Sequence, residues 1–382
     1  MSEPLDEFGG LYLHVPFCER VCPYCDFAVR TGDRTRRRKY VDHLLDEIRL
    51  YAGYPLRFDT IYFGGGTPSS LGPDELGRIL GTARRELSFA GRVWTFLEVN
   101  PEDVTDVAAA AWKGLGVDTL SLGVQALESE ALAFLGRRHR ADDARRAVAL
   151  ALEAGFHTVS IDLIYGLPGQ TPDDWRRELD RALELGAHHV SCYQLTVHEK
   201  TRFGLLAKRG QLTELGLDDQ AELLKLTHRH LEAAGLQASE VGQFAAGPEH
   251  RSRHNLKYWN HVPYLGLGPS AHSFHERTRW WNLRRTDPWQ ERIRRGERPV
   301  EGSETLTDGA LALESLMTGL RAHAGVDLER LRSRWGVDLL AANAELVERL
   351  QSEGLLRLEG ERLLPTLDGL AVADGIASMF EL

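Results

Sequence analysis

The stretch "HVPFCERVCPYCDF", residues 14–27, places Cys18, Cys22 and Cys25 at C-x3-C-x2-C spacing, three of the four cysteines in a chain of 382 residues. Four cysteines are too few for a disulfide framework, and three soft ligands in one short loop call for a metal centre in a reduced compartment. A closed zinc site takes four ligands. No second cysteine pair or close histidine pair follows to complete one, and His14 lies on the strand before the loop. A [4Fe–4S] cluster takes one thiolate on each iron that the protein anchors. Three thiolates then hold three irons, and the fourth iron keeps an open coordination position.

The loop follows an apolar run, and the pattern after it alternates. Strands are predicted at Leu11–Val15, Thr60–Phe63, Trp94–Val99, Thr119–Leu122, Thr158–Ile164 and Val190–Thr196. Helices are predicted between them at Lys39–Ala52, Pro73–Leu87, Val104–Lys113, Asp142–Ala154 and Pro172–Leu185. Gly155 is a natural C-cap, and Thr171-Pro172 an N-cap followed by proline at the first helical position. Strands alternating with helices mean parallel βα units. Six units are too few to close an eight-strand barrel, so the fold class is α/β, an open partial βα barrel of TIM type. Chemistry in such folds sits at the C-terminal ends of the strands. Polar residues end several strands there, among them Gly64-Gly65-Gly66-Thr67, Glu98, Gln125 and Asp162, and a shared pocket explains the set.

The rhythm changes after about residue 235. A segment dense in His, Trp, Tyr and Gly spans 250–275, and helices followed by a small hairpin close the chain, with strands expected near Leu355–Leu358 and Arg362–Leu364. The expected organisation is a barrel core over 1–235, a linking segment over 236–300 and a winged-helix-like α+β domain over 301–382. Gly266-Leu267-Gly268-Pro269 lacks the third glycine and the following helix of a dinucleotide site, so that reading is set aside.

A formal charge of −10 disfavours a nucleic-acid partner, since phosphate binding needs a basic face. The same balance gives the winged helix a packing or lid role rather than DNA binding. The basic run Arg34–Lys39 reads as a solvated helix start. The acidic first residues are unlike a secretory signal, and no run of about 18 apolar residues is present to span a membrane. These features point to a cytoplasmic setting.

C-x3-C-x2-C with an aromatic, Tyr24, before its last cysteine resembles the signature of radical S-adenosylmethionine (SAM) enzymes. The resemblance implies that the amine and carboxylate of SAM fill the fourth iron's open position. "LYLHVPFC", "GGGTPS", "LEVNP", "SLGVQ" and "IDLIYGLPGQT" together resemble the oxygen-independent coproporphyrinogen III oxidase family over essentially the whole chain. It implies SAM contacts at Tyr12, Tyr24, Gly65, Gly66, Thr67, Glu98, Gln125, Arg137 and Asp162, and brings Ala271 and His272 near the cofactor region.

The departures set a subfamily. The oxidases carry a further cysteine two places after the last cluster ligand, where this chain has Phe27, and a longer extension before the first strand, where this chain has ten residues. Both features resemble the HemW-type heme chaperones. His254-Asn255-Leu256-Lys257-Tyr258-Trp259 matches the H-N-x-x-Y-W motif associated with that subfamily. The resemblance implies heme contact at His254, Asn255, Tyr258 and Trp259. Histidine is a common axial ligand and aromatic faces suit a flat macrocycle. His261, His272 and His275 are rival ligands, and Cys192 reads as a buried strand residue. The implied function is a heme chaperone that binds a cluster, SAM and heme and passes heme to an acceptor protein, with a homodimer as its assembly. A coproporphyrinogen oxidase and another radical SAM enzyme, such as a methyltransferase, are the alternatives.

Overall fold

The computed structural model describes residues 8–382. Six parallel strands form the heart of a single large sheet: β1 (Gly9–Val15), β2 (Arg57–Gly65), β3 (Ser88–Val99), β4 (Thr119–Gln125), β5 (Thr158–Tyr165) and β6 (His189–Gln194). They pair in sequence order, so each connection is a βα crossover. The helices are α1 (Arg34–Leu50), α2 (Pro73–Glu86), α3 (Asp106–Gly114), α4 (Ser129–Phe134), α5 (Ala141–Glu153) and α6 (Pro172–Leu183).

The period-2 pattern of β1 shows why the layers form. Leu11, Leu13 and Val15 are fully buried in the main apolar core, which also takes in Tyr40, Leu44 and Ile48 of α1. The alternate residues of β1, Tyr12 and His14, face the barrel interior, where Tyr12 stacks on Tyr62 of β2 at 6.1 Å and Tyr62 on Phe96 of β3 at 5.7 Å. Cap chemistry sets the helix ends. Asp33 accepts from Arg36 N at 2.9 Å and starts α1, so the basic run is the exposed first turn of that helix. Thr171 caps α6 with proline at N1, and Gly155 follows α5 at φ +71°.

Residues 236–300 are not a linker, contrary to expectation. After α7 (Arg202–Lys208) and α8 (Leu217–Ala233), the hairpin β7 (Gln237–Glu240) and β8 (Gln243–Ala245) pairs antiparallel with β6. Beyond α9 (Arg253–Trp259), β9 (Tyr264–Leu267) pairs parallel with β1. The antiparallel β10 (His272–His275), β11 (Thr278–Asn282) and β12 (Val300–Thr305) continue that edge, with α10 (Thr286–Arg294) between β11 and β12. Both edges of the six-strand unit carry unpaired backbone groups, and this segment satisfies them.

The C-terminal region has its own apolar core, centred on Leu311, Leu316, Leu331, Leu350 and Leu363. It comprises α11 (Asp308–Gly319), α12 (Leu328–Trp335) and four further short helices, with a three-strand sheet of β13 (Val326–Asp327), β14 (Leu356–Glu359) and β15 (Arg362–Pro365). The hairpin β14–β15 turns at Gly360, at φ +59°, giving the winged-helix-like layout expected. No helix among the described residues is long and apolar enough to cross a membrane.

Candidate functional site

The cysteine loop leaves the C-terminal end of β1 and is tied down at several points. Cys18 N donates to Arg30 O at 3.0 Å, Arg30 N to Pro16 O at 2.8 Å, and Arg284 Nη2 to Asp26 O at 2.6 Å. Thr67 Oγ1 donates to Cys18 Sγ at 3.5 Å and Arg137 Nη1 to Cys22 Sγ at 3.6 Å. All three thiols are half-buried and line a cavity of about 390 Å³ at the strand ends. No fourth cysteine among the described residues lines that cavity, and three thiolates fit a cluster that keeps one iron open better than a closed four-ligand zinc site.

The wall opposite the loop is built from strand ends. Gly65 turns at φ +112°, where a Cβ would lie 2.7 Å from the His14 ring, and a Cβ on Gly66 would lie 2.6 Å from Phe17 O and 3.0 Å from Cys18 Sγ. Only glycine lets this backbone approach the cluster loop so closely. Glu98 accepts from Tyr62 Oη at 2.9 Å and Gly65 N at 3.0 Å. Burial, and then the charge of Asp162, pushes its carboxyl up to about 7. Asp162 accepts from Ser121 Oγ at 3.3 Å, and burial pushes it up to about 6. Arg137 is held by Asn100 Oδ1 at 2.7 Å and Gly123 O at 2.8 Å. Its buried Nε has no hydrogen-bond partner among the described residues.

Of the residues expected to contact SAM, Tyr24, Gly65, Gly66, Thr67, Glu98, Gln125, Arg137 and Asp162 line this one cavity with the three cysteines. Tyr12 does not. Its hydroxyl meets His14 Nδ1 at 3.1 Å, and the ring lines a second cavity alongside. Asn100 and Ser121, which stand among the strand-end polar residues of the sequence, also line the first cavity, as does Tyr193, which was not among the expected site residues. Tyr193 could have been found from the alternation of β6, where Cys192 faces the apolar core as expected. Gln125 sits at φ +67°, rare for a residue with a Cβ, and no sequence signal marks it. The donor set suits SAM: glycine backbone for close approach, two buried carboxylates for amine N–H and hydroxyl groups, and an incompletely bonded guanidinium for a carboxylate.

The residues expected to touch heme divide. His254 is buried and turned into the barrel floor, where Nδ1 meets Thr60 Oγ1 at 2.8 Å and Nε2 meets Tyr258 Oη at 2.8 Å. It stacks on Tyr62 at 5.0 Å, and burial pushes its pKa down to about 3. Both nitrogens are hydrogen-bonded, so ligation of heme iron by His254 requires the ring to give up its bond to Thr60 or to Tyr258. Asn255 and Trp259 are half-buried on α9. Tyr258 lines the second cavity, of about 360 Å³, together with Tyr12, Phe27, Tyr264, His272 and Arg284. Among the rival histidines, His261 is engaged by Glu314 at 3.3 Å and His275 by Tyr54 at 3.2 Å. His272 is exposed, stacks on Trp281 at 6.0 Å and makes no side-chain hydrogen bond among the described residues. Ala271 is buried. Phe27, 64% exposed, lines both cavities.

Comparison with known proteins places this geometry. The radical SAM superfamily matches residues 12–182, and the HemN C-terminal domain matches residues 306–372. The heme chaperone HemW of Mycobacterium tuberculosis is 35% identical over 375 residues, covering 96% of this chain and 93% of that one. HemW of Bacillus subtilis is 32% identical over 97% of this chain and 98% of its own. The mouse mitochondrial radical S-adenosyl methionine domain-containing protein 1 is 32% identical over 96% of this chain and 86% of its own. The solved structure of the Escherichia coli coproporphyrinogen III oxidase HemN superposes with a TM-score of 0.83 at 21% identity, covering 98% of this chain and 90% of that one. At that identity the likeness is one of fold.

Proposed function

The chain belongs to the radical SAM superfamily and, within it, to the family of the HemW heme chaperones, and from that premise we propose that it binds a [4Fe–4S] cluster, SAM and heme, and delivers heme to an acceptor protein. Cys18, Cys22 and Cys25 would hold the cluster, which when bound would supply SAM with a coordination site and an electron. Gly65, Gly66 and Thr67 lay backbone against the ligand. Glu98 and Asp162 accept from its amine N–H and hydroxyl groups, and Arg137 donates to its carboxylate. The Tyr24 ring and the Gln125 side chain complete the enclosure.

The observation that carries the heme reading is the second cavity and its junction with the first at Phe27. Its wall of Tyr12, Tyr258, Tyr264 and Phe27 suits a flat macrocycle, His272 supplies an accessible imidazole, and Arg284 suits a propionate. Heme contact is therefore proposed at Tyr258, with Asn255 and Trp259 shaping the rim and His254 acting behind Tyr258. A cytoplasmic setting, an acceptor protein as partner and a homodimer belong to the same proposal. Three cysteines clustered as ligands suit a reducing compartment, which supports the first of these.

The coproporphyrinogen oxidase reading rests on the shared fold, and Phe27 opposes it by standing where the oxidases carry a cysteine. The test is anaerobic turnover. Cluster-loaded protein with SAM, a reductant and coproporphyrinogen III is expected to release no carbon dioxide and form no protoporphyrinogen. Steady decarboxylation over many turnovers would replace the chaperone with the oxidase.

A further inference from the structure

Helix α8 carries His228 and Glu232 four residues apart, hence on one face. His323, from the turn after α11, meets that face. The three side chains bring one donor atom each to within 4.8 Å of one another, on the opposite flank of β6 from the cysteine loop's parent strand β1. His323 Nε2 lies 3.5 Å from Glu232 Oε1, and the imidazoles of His228 and His323 lie nearly parallel, 17° apart with centroids at 6.1 Å.

A surface ion pair would account for Glu232 and His323, both of which are exposed, but not for His228. That residue is 1% exposed. Its Nε2 lies 3.1 Å from the backbone carbonyl of Val241, which fixes the ring proton on that nitrogen. Nδ1 is left with its lone pair buried and without a hydrogen-bond partner among the described residues. Buried polar atoms in folded proteins are nearly always satisfied, so this one needs an explanation. A histidine with one nitrogen donating to a backbone carbonyl and the other bare is the arrangement found in metal-binding imidazoles.

The third ligand is held in place by backbone. Val241 N donates to Arg321 O at 2.9 Å, His323 N donates to Ser239 O at 3.1 Å, and Glu240 bridges to Ala322. These bonds fix the entry to the C-terminal core against the β7–β8 hairpin and α8.

We propose that His228 through Nδ1, Glu232 through its carboxylate and His323 through its imidazole bind one divalent transition-metal cation of the zinc class, clasping the C-terminal domain to the barrel. Two imidazoles and a carboxylate suit zinc or cobalt, with water in the fourth position. The site is separate from the cysteine loop and needs neither cluster nor SAM.

The probe is Co²⁺, titrated anaerobically into full-length protein whose cluster is oxidised and therefore silent in electron paramagnetic resonance. One high-spin Co²⁺ per chain is expected, without sulfur-to-cobalt charge-transfer absorption and displaceable by Zn²⁺. Affinity should fall at least tenfold in His323→Ala and in Glu232→Gln, both surface substitutions that leave cluster content unchanged. Zn²⁺ should raise the Tm of the native protein and leave that of His323→Ala unmoved. The absence of a saturable signal, or a signal that both substitutions leave intact, would overturn the clasp.

Discussion

Burial sets the properties of Glu98 and Asp162. Removed from water at the ends of β3 and β5, the two carboxyls hold their protons to about pH 7 and about pH 6. A ligand that brings positive charge, such as SAM at its sulfonium, favours their ionised forms. Below about pH 7 binding must first expel a proton, so affinity falls as pH drops, by up to about tenfold per unit for each proton released. Equilibrium binding of SAM to cluster-loaded protein between pH 8 and pH 5, rough limits set by those two values, should show this decline. Glu98→Gln should bind more weakly at pH 8 and with a shallower slope. Gly66 makes the second prediction at this scale. A methyl group 2.6 Å from Phe17 O cannot be absorbed by side-chain movement, so Gly66→Ala should displace the cluster loop. Overpacking costs about 1–3 kcal/mol, and SAM affinity should fall roughly 5- to 150-fold, measured by the same binding assay. These positions were legible because their signals are chemical: cysteine spacing, consecutive glycines, acids ending apolar strands. The left-handed backbone of Gln125 carried no such signal, because it is imposed by the packing of β4 against β5, where the register shifts between Leu122 and Gln125.

Helix α9 shows that a motif can name the residues of a segment without showing which of them face the core. His254 and Tyr258 lie one turn apart, and the sequence gives no sign of which faces the barrel floor. The answer comes from β1. A Cβ on Gly10 would lie 2.9 Å from His254 Cε1, so the glycine leaves the space that the imidazole fills. His254→Ala should therefore act on stability, by about 2–5 kcal/mol from the cavity and from two hydroxyls losing their partner, read as a lower Tm. His272→Ala, at an exposed position, should leave Tm unchanged and weaken heme binding. The six parallel strands were legible in order because each is an apolar run between turn residues. Their limits were less so: β2 begins at Arg57 and β3 at Ser88 because edge-to-edge pairing of those ends draws polar residues into the ladder. The linking role expected for 236–300 failed for the same reason. Short strands rich in Gly, His and Trp carry little periodicity, and it is the exposed edges of β1 and β6 that recruit them.

Across the whole molecule, two apolar cores share one large sheet at their border. Phe274 of β10 belongs to the C-terminal core while β9 beside it belongs to the barrel's. The cluster loop and the first cavity lie at the C-terminal ends of β1–β6, and the second cavity, which shares Phe27, reaches Tyr264 of β9 and His272 of β10 beside that border. Replacing Cys18, Cys22 and Cys25 together by alanine should abolish iron and sulfide content, whereas Cys192→Ala, in the apolar core, should leave both at their native level, as elemental analysis of anaerobic material would show. The central claim is that this architecture carries heme. The most direct test is a heme titration of anaerobic, cluster-loaded protein followed by its Soret band, run on the native chain, His272→Ala and His254→Ala. Saturation at one heme per chain is expected. It should be weakened in His272→Ala and retained in His254→Ala at temperatures where that variant stays folded. Absorbance that rises without saturation in the native protein would contradict the chaperone.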